Sequence, residues 1–162
     1  MRIGFGLDRH QLVPGFRCVL GGVEFPACPV GPHGHSDGDA VCHAVADAIL
    51  GAAALQDIGH HFPDTDPRYA GADSVELLRQ TVAIVRGAGW LVGNVDVTVM
   101  AERPHLADAR DAMRANLAGA LGIDVGRVSV KATRGERLGP EGRGEAITVH
   151  AVALITASGT GS

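Results

Sequence analysis

The chain has 162 residues, 46% of them hydrophobic and 20% charged, with a formal net charge of −4. That length and apolar content suit one domain with a sizeable core, and mild acidity without a Lys/Arg run excludes a nucleic-acid or anionic-membrane surface as the main partner. The three cysteines, Cys18, Cys28 and Cys42, have no C-x-x-C spacing, which excludes a disulfide framework and a cysteine zinc site.

In chain order, "MRIGFGLDRH" lacks the apolar run of a signal peptide, and no stretch is apolar enough to span a bilayer, so a cytoplasmic location is expected. "RIGFGLD" reads as a short strand, and "CVLGGVEF" as a hairpin or two short strands around Gly21 and Gly22. Residues 38–54 form an alanine-rich first helix, with Ser36 or Asp37 available to cap it. Its polar entrance offers helix-end amides that favour an anion. "DIGHHFPDTDPRYAGAD" is a loop, and a second helix runs from Ser74 to Arg86 with Asp73 as N-cap. "NVDVTVMA" alternates as a strand. "PHLADARDAMRANLAGALG" is a third helix, with Pro104 in its first turn and Gly122 after its end. "RVSVKAT" and "AITVHAVALI" are closing strands joined by a loop from Gly135 to Gly144. The elements interleave around one mixed β-sheet with helices on one face, an α+β (α/β sandwich) fold. Residues 1–157 make a single domain, and the tail 158–162 is expected to be disordered.

Five of the eight histidines fall between positions 33 and 61. On a strand, Asp8 and His10 point to the same face, and a carboxylate beside an imidazole suits a zinc site. A surface pair at a strand end is the ordinary alternative. His43 changes the balance: Asp39, His43 and Asp47 share one helix face, and the small Ala40, Ala44 and Ala46 let another element approach closely. Asp8, His10 and His43 would supply two nitrogens and one oxygen, leaving a fourth position open for substrate, with Asp47 or Asp39 orienting the His43 ring. Asp57, Asp64 and Asp66 read either as turn residues or as hydroxyl-binding groups. "KATRGERLGPEGRGE" offers Lys131, Arg134, Arg137 and Arg143 as a phosphate cradle or as a charged hairpin. No G-x-S-x-G elbow and no cysteine nucleophile context occurs. The residues therefore outline a zinc site beside a polyol and phosphate pocket without naming a reaction.

Six motifs carry a resemblance: "RIGFGLDRH", "HSDGDAVCHAVADAILGAAAL", "DIGHHFPDTDP", "GADS", "NVDVTVMAERP" and "GRGEAI". On these motifs, over a stretch from Arg2 to about Ile155, the chain resembles the 2-C-methyl-D-erythritol 2,4-cyclodiphosphate synthase family of non-mevalonate isoprenoid biosynthesis. The resemblance implies a homotrimer with active sites between subunits. It implies zinc, or another divalent transition metal, on Asp8, His10 and His43, and Glu136 placing magnesium or manganese on the substrate diphosphate. His35 and Ser36 would contact the substrate phosphate, with His35 acting in the transition state. Asp57, Gly59, Phe62, Asp64 and Asp66 would line the methylerythritol pocket. The segment Ala101 to Leu106, Pro104 included, would hold cytidine with Thr133. The implied reaction is intramolecular: a phosphate on carbon 2 attacks the β-phosphorus of the cytidine diphosphate group and CMP leaves.

The chain departs from the family pattern in "KATRGE". Arg134 stands in the catalytic position of the family's second threonine, and Gly135 replaces the next polar residue. Pro140 replaces a phenylalanine that lines a trimer-axis cavity able to hold isoprenoid diphosphates. Arg143 and Glu145 remain there for an anion, while an apolar contact is lost. Two alternatives stay open: a related cyclase acting on another cytidylylated polyol, and a non-catalytic zinc and nucleotide-binding homologue.

Overall fold

The computed structural model describes residues 1–159. Its frame is a five-stranded mixed sheet in the order β4-β1-β7-β5-β6. β1 (Arg2–Pro14) pairs antiparallel with β7 (Ala146–Ala157), and β7 with β5 (Trp90–Met100). β6 (Val128–Thr133) runs parallel to β5, and β4 (Val30–Pro32) closes the other edge against β1. A two-stranded ribbon of β2 (Val19–Leu20) and β3 (Val23–Glu24) stands apart, as the Gly21-Gly22 hairpin reading expects. β5 follows the expected alternation. β7 turns Ile147, Val149, Ala151, Ala153 and Ile155 inward, and β5 turns Val95, Val97 and Val99 inward.

One face of the sheet is covered by α1 (Ala40–Ala53), α3 (Ser74–Gly87) and α4 (Arg110–Leu121). The core lies between these layers and includes Leu20, Ile49, Leu50, Leu78, Met113 and Leu117. The other face shows Ile3, Phe5, Leu7 and Val152 to the outside. The single-turn helices α2 (Ile58–His61) and α5 (Gly139–Gly142) interrupt segments read as loops. Among the described residues, no helix is long and apolar enough to cross a membrane.

Several boundaries correct the sequence reading. α1 begins at Ala40 and is capped neither by Ser36 nor by Asp37 but by Asp39, which accepts from the amides of Val41 and Cys42. The same carboxylate accepts from Gly21 and Gly22, so one buried group ties the β2–β3 hairpin to the helix start. The first-turn amides expected to attract phosphate are thus already occupied by a carboxylate. Pro104 precedes α4 by six residues, because the chain first makes a turn in which Leu106 and Ala109 are hydrogen-bonded. The α3 cap on Asp73 and the left-handed Gly122 after α4 are as expected. Of the tail, the Ser158 amide donates to the Gly89 carbonyl, and 160–162 lie outside the described residues.

Candidate metal centre and adjoining cavity

β1 and α1 meet because two glycines remove the strand's side chains where the helix crosses. Gly4, Gly6, Asp8 and His10 share the inward face of β1. A Cβ on Gly4 would lie 1.9 Å from the Ala48 carbonyl oxygen, and one on Gly6 would lie 2.0 Å from that of Ala44. Two residues along the strand therefore match one turn back along the helix. The next step places Asp8 and His10 beside the first turn of α1, where His43 stands.

The three candidate ligands converge. The Asp8 Oδ2, His10 Nε2 and His43 Nδ1 atoms all lie within 4.8 Å of one another. Asp8 Oδ2 is 2.8 Å from His10 Nε2 and 3.1 Å from His43 Nδ1, and the two nitrogens are 3.3 Å apart. Ligands at about 2.0 Å from a tetrahedral zinc stand about 3.3 Å from each other, so this spacing matches a metal set.

The surrounding hydrogen bonds decide which ring nitrogens face inward. His10 Nδ1 is 2.7 Å from the His33 carbonyl, which can only accept, so Nδ1 carries the proton and Nε2 presents a lone pair. The other ring nitrogen of His43 is 2.9 Å from Ser74 Oγ. That hydroxyl itself donates to Asp37 Oδ1 at 2.5 Å, so it accepts from His43 Nε2–H and leaves Nδ1 as a lone pair. Two lone pairs and a carboxylate oxygen then face one another, an arrangement that requires a cation or a proton at its centre. The donor set fits a borderline-soft divalent ion such as zinc. In the metal-free chain, burial raises the Asp8 carboxyl. Hydrogen bonds and charge from His10 and His43 outweigh this and hold it well below the usual carboxylate range. Burial lowers the His10 imidazole, and Asp8 more than reverses the shift.

Neither Asp39 nor Asp47 orients His43. Asp39 is spent on the cap, and Asp47 accepts from the Ile58 amide, fixing the turn after α1. Ser74 and Asp37 do the work instead. Ser74 stands in "GADS", where the sequence reading uses Asp73 as a cap and misses the hydroxyl beside it.

A cavity of about 280 Å³ opens beside His43 and is lined by His35, Ser36, Ile58, Gly59, Phe62, Asp64, Tyr69 and Leu77. It gathers five of the expected substrate-contacting residues: His35, Ser36, Gly59, Phe62 and Asp64. Asp57 and Asp66 are not in its lining. Asp57 caps α2 by accepting from the His60 amide, and Asp66 caps the turn at Pro67–Tyr69 while pairing with Arg68. His61 donates to the Leu55 carbonyl, a structural role.

At the same end of the sheet, the Ala101 amide donates to the Thr133 carbonyl, so two expected cytidine-binding segments are joined. Pro104 is half-buried and Leu106 buried in the segment that follows. Arg134 and Glu136 are exposed between β6 and α5, and Glu136 is outside the three-ligand cluster. Lys131 and Arg143, candidates for a phosphate cradle, are engaged by Asp96 and Glu145 respectively.

The model of the YgbB family matches residues 1–156 of this mixed α+β chain, and the chain belongs to that family. The chain is 56% identical over 160 residues to the 2-C-methyl-D-erythritol 2,4-cyclodiphosphate synthase of Pseudomonas aeruginosa, covering 97% of this chain and 99% of the relative. It is 57% identical over 154 residues to that of Chromobacterium violaceum, covering 95% and 97% respectively. Among solved structures, the bifunctional IspDF of Campylobacter jejuni superposes with a TM-score of 0.91 at 41% identity. That match covers 96% of this chain and 42% of the longer bifunctional one. The IspF of Plasmodium falciparum, solved as a CDP complex, gives 0.84 at 33% identity, covering 98% of this chain and 97% of that one.

Proposed function

We propose that the protein converts 4-diphosphocytidyl-2-C-methyl-D-erythritol 2-phosphate to 2-C-methyl-D-erythritol 2,4-cyclodiphosphate and CMP, acting as a homotrimer. The observation that carries this reading is the Asp8–His10–His43 cluster opening onto the cavity of His35, Ser36, Phe62 and Asp64. The CDP bound to solved relatives of the same fold supports a cytidine diphosphate substrate.

In this reading Asp8, His10 and His43 would hold zinc and Glu136 would hold magnesium; bound there, the ions neutralise crowded phosphate charge and polarise the phosphoryl oxygens. An oxygen of the 2-phosphate bonds to the β-phosphorus while that phosphorus loses its bond to the bridging oxygen, and CMP leaves with the electron pair. The nucleophile belongs to the substrate and is already anionic, in keeping with the lack of a protein nucleophile motif. The chain's task is to fold the substrate back on itself. His35 and Ser36 donate to the 2-phosphate at the cavity mouth. Ile58, Phe62 and Leu77 give the methyl-bearing carbon an apolar wall, and Asp64 accepts from a polyol hydroxyl. Ala101, Pro104, Leu106 and Thr133 offer backbone groups to cytosine from the neighbouring subunit, and Arg134 brings positive charge where the family uses a hydroxyl.

Incubation with the substrate and magnesium, followed by phosphorus NMR, tests the proposal. Cyclic diphosphate and CMP should form and should be lost in His43→Ala. An intact substrate with metal-loaded, assembled wild-type protein would overturn it.

A further inference from the structure

The segment from Arg134 to Leu138, which holds two of the residues just assigned, is backbone-strained. Glu136 and Arg137 have φ of 50° and 65°, a left-handed conformation unusual for two successive side-chain-bearing residues. Such a conformation persists only where surrounding structure over-determines it. Two devices do so here. The Leu138 amide donates to the Gly135 carbonyl, closing a turn, and Gly135 lies against α5, where an added Cβ would come within 2.2 Å of the Gly142 amide nitrogen. The position of the segment is therefore set by the position of α5.

Besides the Glu145 amide, which donates to the Pro140 carbonyl, α5 is tied to the sheet by one buried side-chain carboxylate. The Glu141 side chain is only 6% exposed, so it requires partners of its own. Thr148 Oγ1 donates to Glu141 Oε1 at 2.5 Å, and Arg9 Nη2 donates to the same oxygen at 3.0 Å. Arg9 Nε donates to Thr148 Oγ1 at 2.8 Å, closing a three-membered ring of hydrogen bonds. Arg9 and Thr148 are register partners on β1 and β7. Arg9 also stands between Asp8 and His10, whose side chains leave the strand on its other face.

We infer that Glu141 is a positioning residue: through Arg9 and Thr148 it fixes α5, and with it Arg134 and Glu136, at a set distance from the strand that carries two metal ligands. The inference rests on the proposed function for the roles of Arg134 and Glu136, while the pinning itself stands on the hydrogen-bond ring. Glu141 does not touch substrate; it sets where the groups that do touch it stand.

The test is Glu141→Gln, which keeps the shape and removes the charge, with Arg9→Met and the double variant beside it. The magnesium concentration for half-maximal turnover should rise about tenfold or more, the usual range for loss of an orienting partner. Zinc content should not change. Hydrogen exchange should quicken in peptides covering 134–142 and stay unchanged in α1. The double variant should be no worse than the worse single one, and Glu141→Asp should restore part of the loss. Unchanged magnesium dependence and unchanged exchange in active Glu141→Gln would overturn the inference. So would a loss of turnover that merely tracks the folded fraction by thermal melt. Wild-type protein inactive at every magnesium concentration would sink the functional reading instead, and the exchange experiment would still decide the pinning.

Discussion

Replacing Gly6 with alanine tests how the metal centre is assembled. Gly6 does not have a positive φ, so alanine suits its backbone; what forbids it is space. The new Cβ would lie 2.0 Å from the Ala44 carbonyl oxygen, 1.0 Å inside the 3.0 Å limit that real Cβ contacts observe. α1 must therefore retreat from β1 by about 1 Å, and since helix and strand are both well packed, it retreats as a unit. Overpacking of this kind costs about 1–3 kcal/mol, against a gain of about 0.4–1 kcal/mol from the stiffer unfolded chain. The net loss, about 1–2 kcal/mol, corresponds to a fall in Tm of about 2–8 °C for a domain of this size. His43 sits on the retreating helix, and metal ligands tolerate only about ±0.2 Å, so zinc affinity should fall about tenfold or more. Calorimetry and zinc titration against a chromophoric chelator would read both. Gly51→Ala is the contrast: Gly51 is exposed within α1 with nothing near its missing Cβ, and alanine there should raise stability by about 0.5–1 kcal/mol. Equal zinc affinity in Gly6→Ala and wild type, with an unchanged Tm, would refute the reasoning that glycine-mediated contact places His43.

Ser74→Ala removes the hydroxyl that accepts from His43 and donates to Asp37, and should weaken zinc binding about tenfold while lowering stability by about 1–3 kcal/mol. A variant with wild-type zinc affinity would show that the ring is oriented by other means. Chelation of the metal should lower Tm reversibly, with one zinc per chain restoring it; elemental analysis and a thermal melt before and after reloading check this. The Thr148 hydroxyl, with Arg9 and Arg143 nearby, holds the Glu141 carboxyl below its ordinary value of 4.5. A depressed carboxylate contributes stability that is present above the unfolded-state value and lost as pH falls through the folded one. Stability should therefore decline on acidification below about pH 4.5, with a shallower decline in Glu141→Gln, read as Tm against pH. Parallel acid limbs for the two proteins would contradict the assignment.

Residue types and local periodicity made much of this protein legible in one dimension. Alternation in "NVDVTVMA", the Asp73 cap and the Gly122 stop report local backbone preferences, and local preferences survive into the fold. Asp8, His10 and His43 stood out because imidazoles and a carboxylate at strand and helix spacing have few other uses near a core. The roles of the neighbouring acids were not legible. Asp39 shares a helix face with His43 on paper, yet it lies at the helix end, where unpaired amides bind it more strongly than a distant ring can. Asp57 and Asp66 look the same as Asp64 in sequence, and only the path of the loop separates two turn caps from a cavity wall.

What the sequence determined alone was the kind of chemistry available: oxygen and nitrogen ligands, a polar loop, a strand order compatible with one mixed sheet, and the motifs of the family. Tertiary structure decided which groups meet. Ser74 reaches His43 across 31 residues, and Glu141 is bound by Arg9, on a strand at the other end of the chain. Such contacts depend on sheet register and on the close approach of α1 at Gly4 and Gly6. Both are set by the packing of the whole domain, so no short window of sequence contains them.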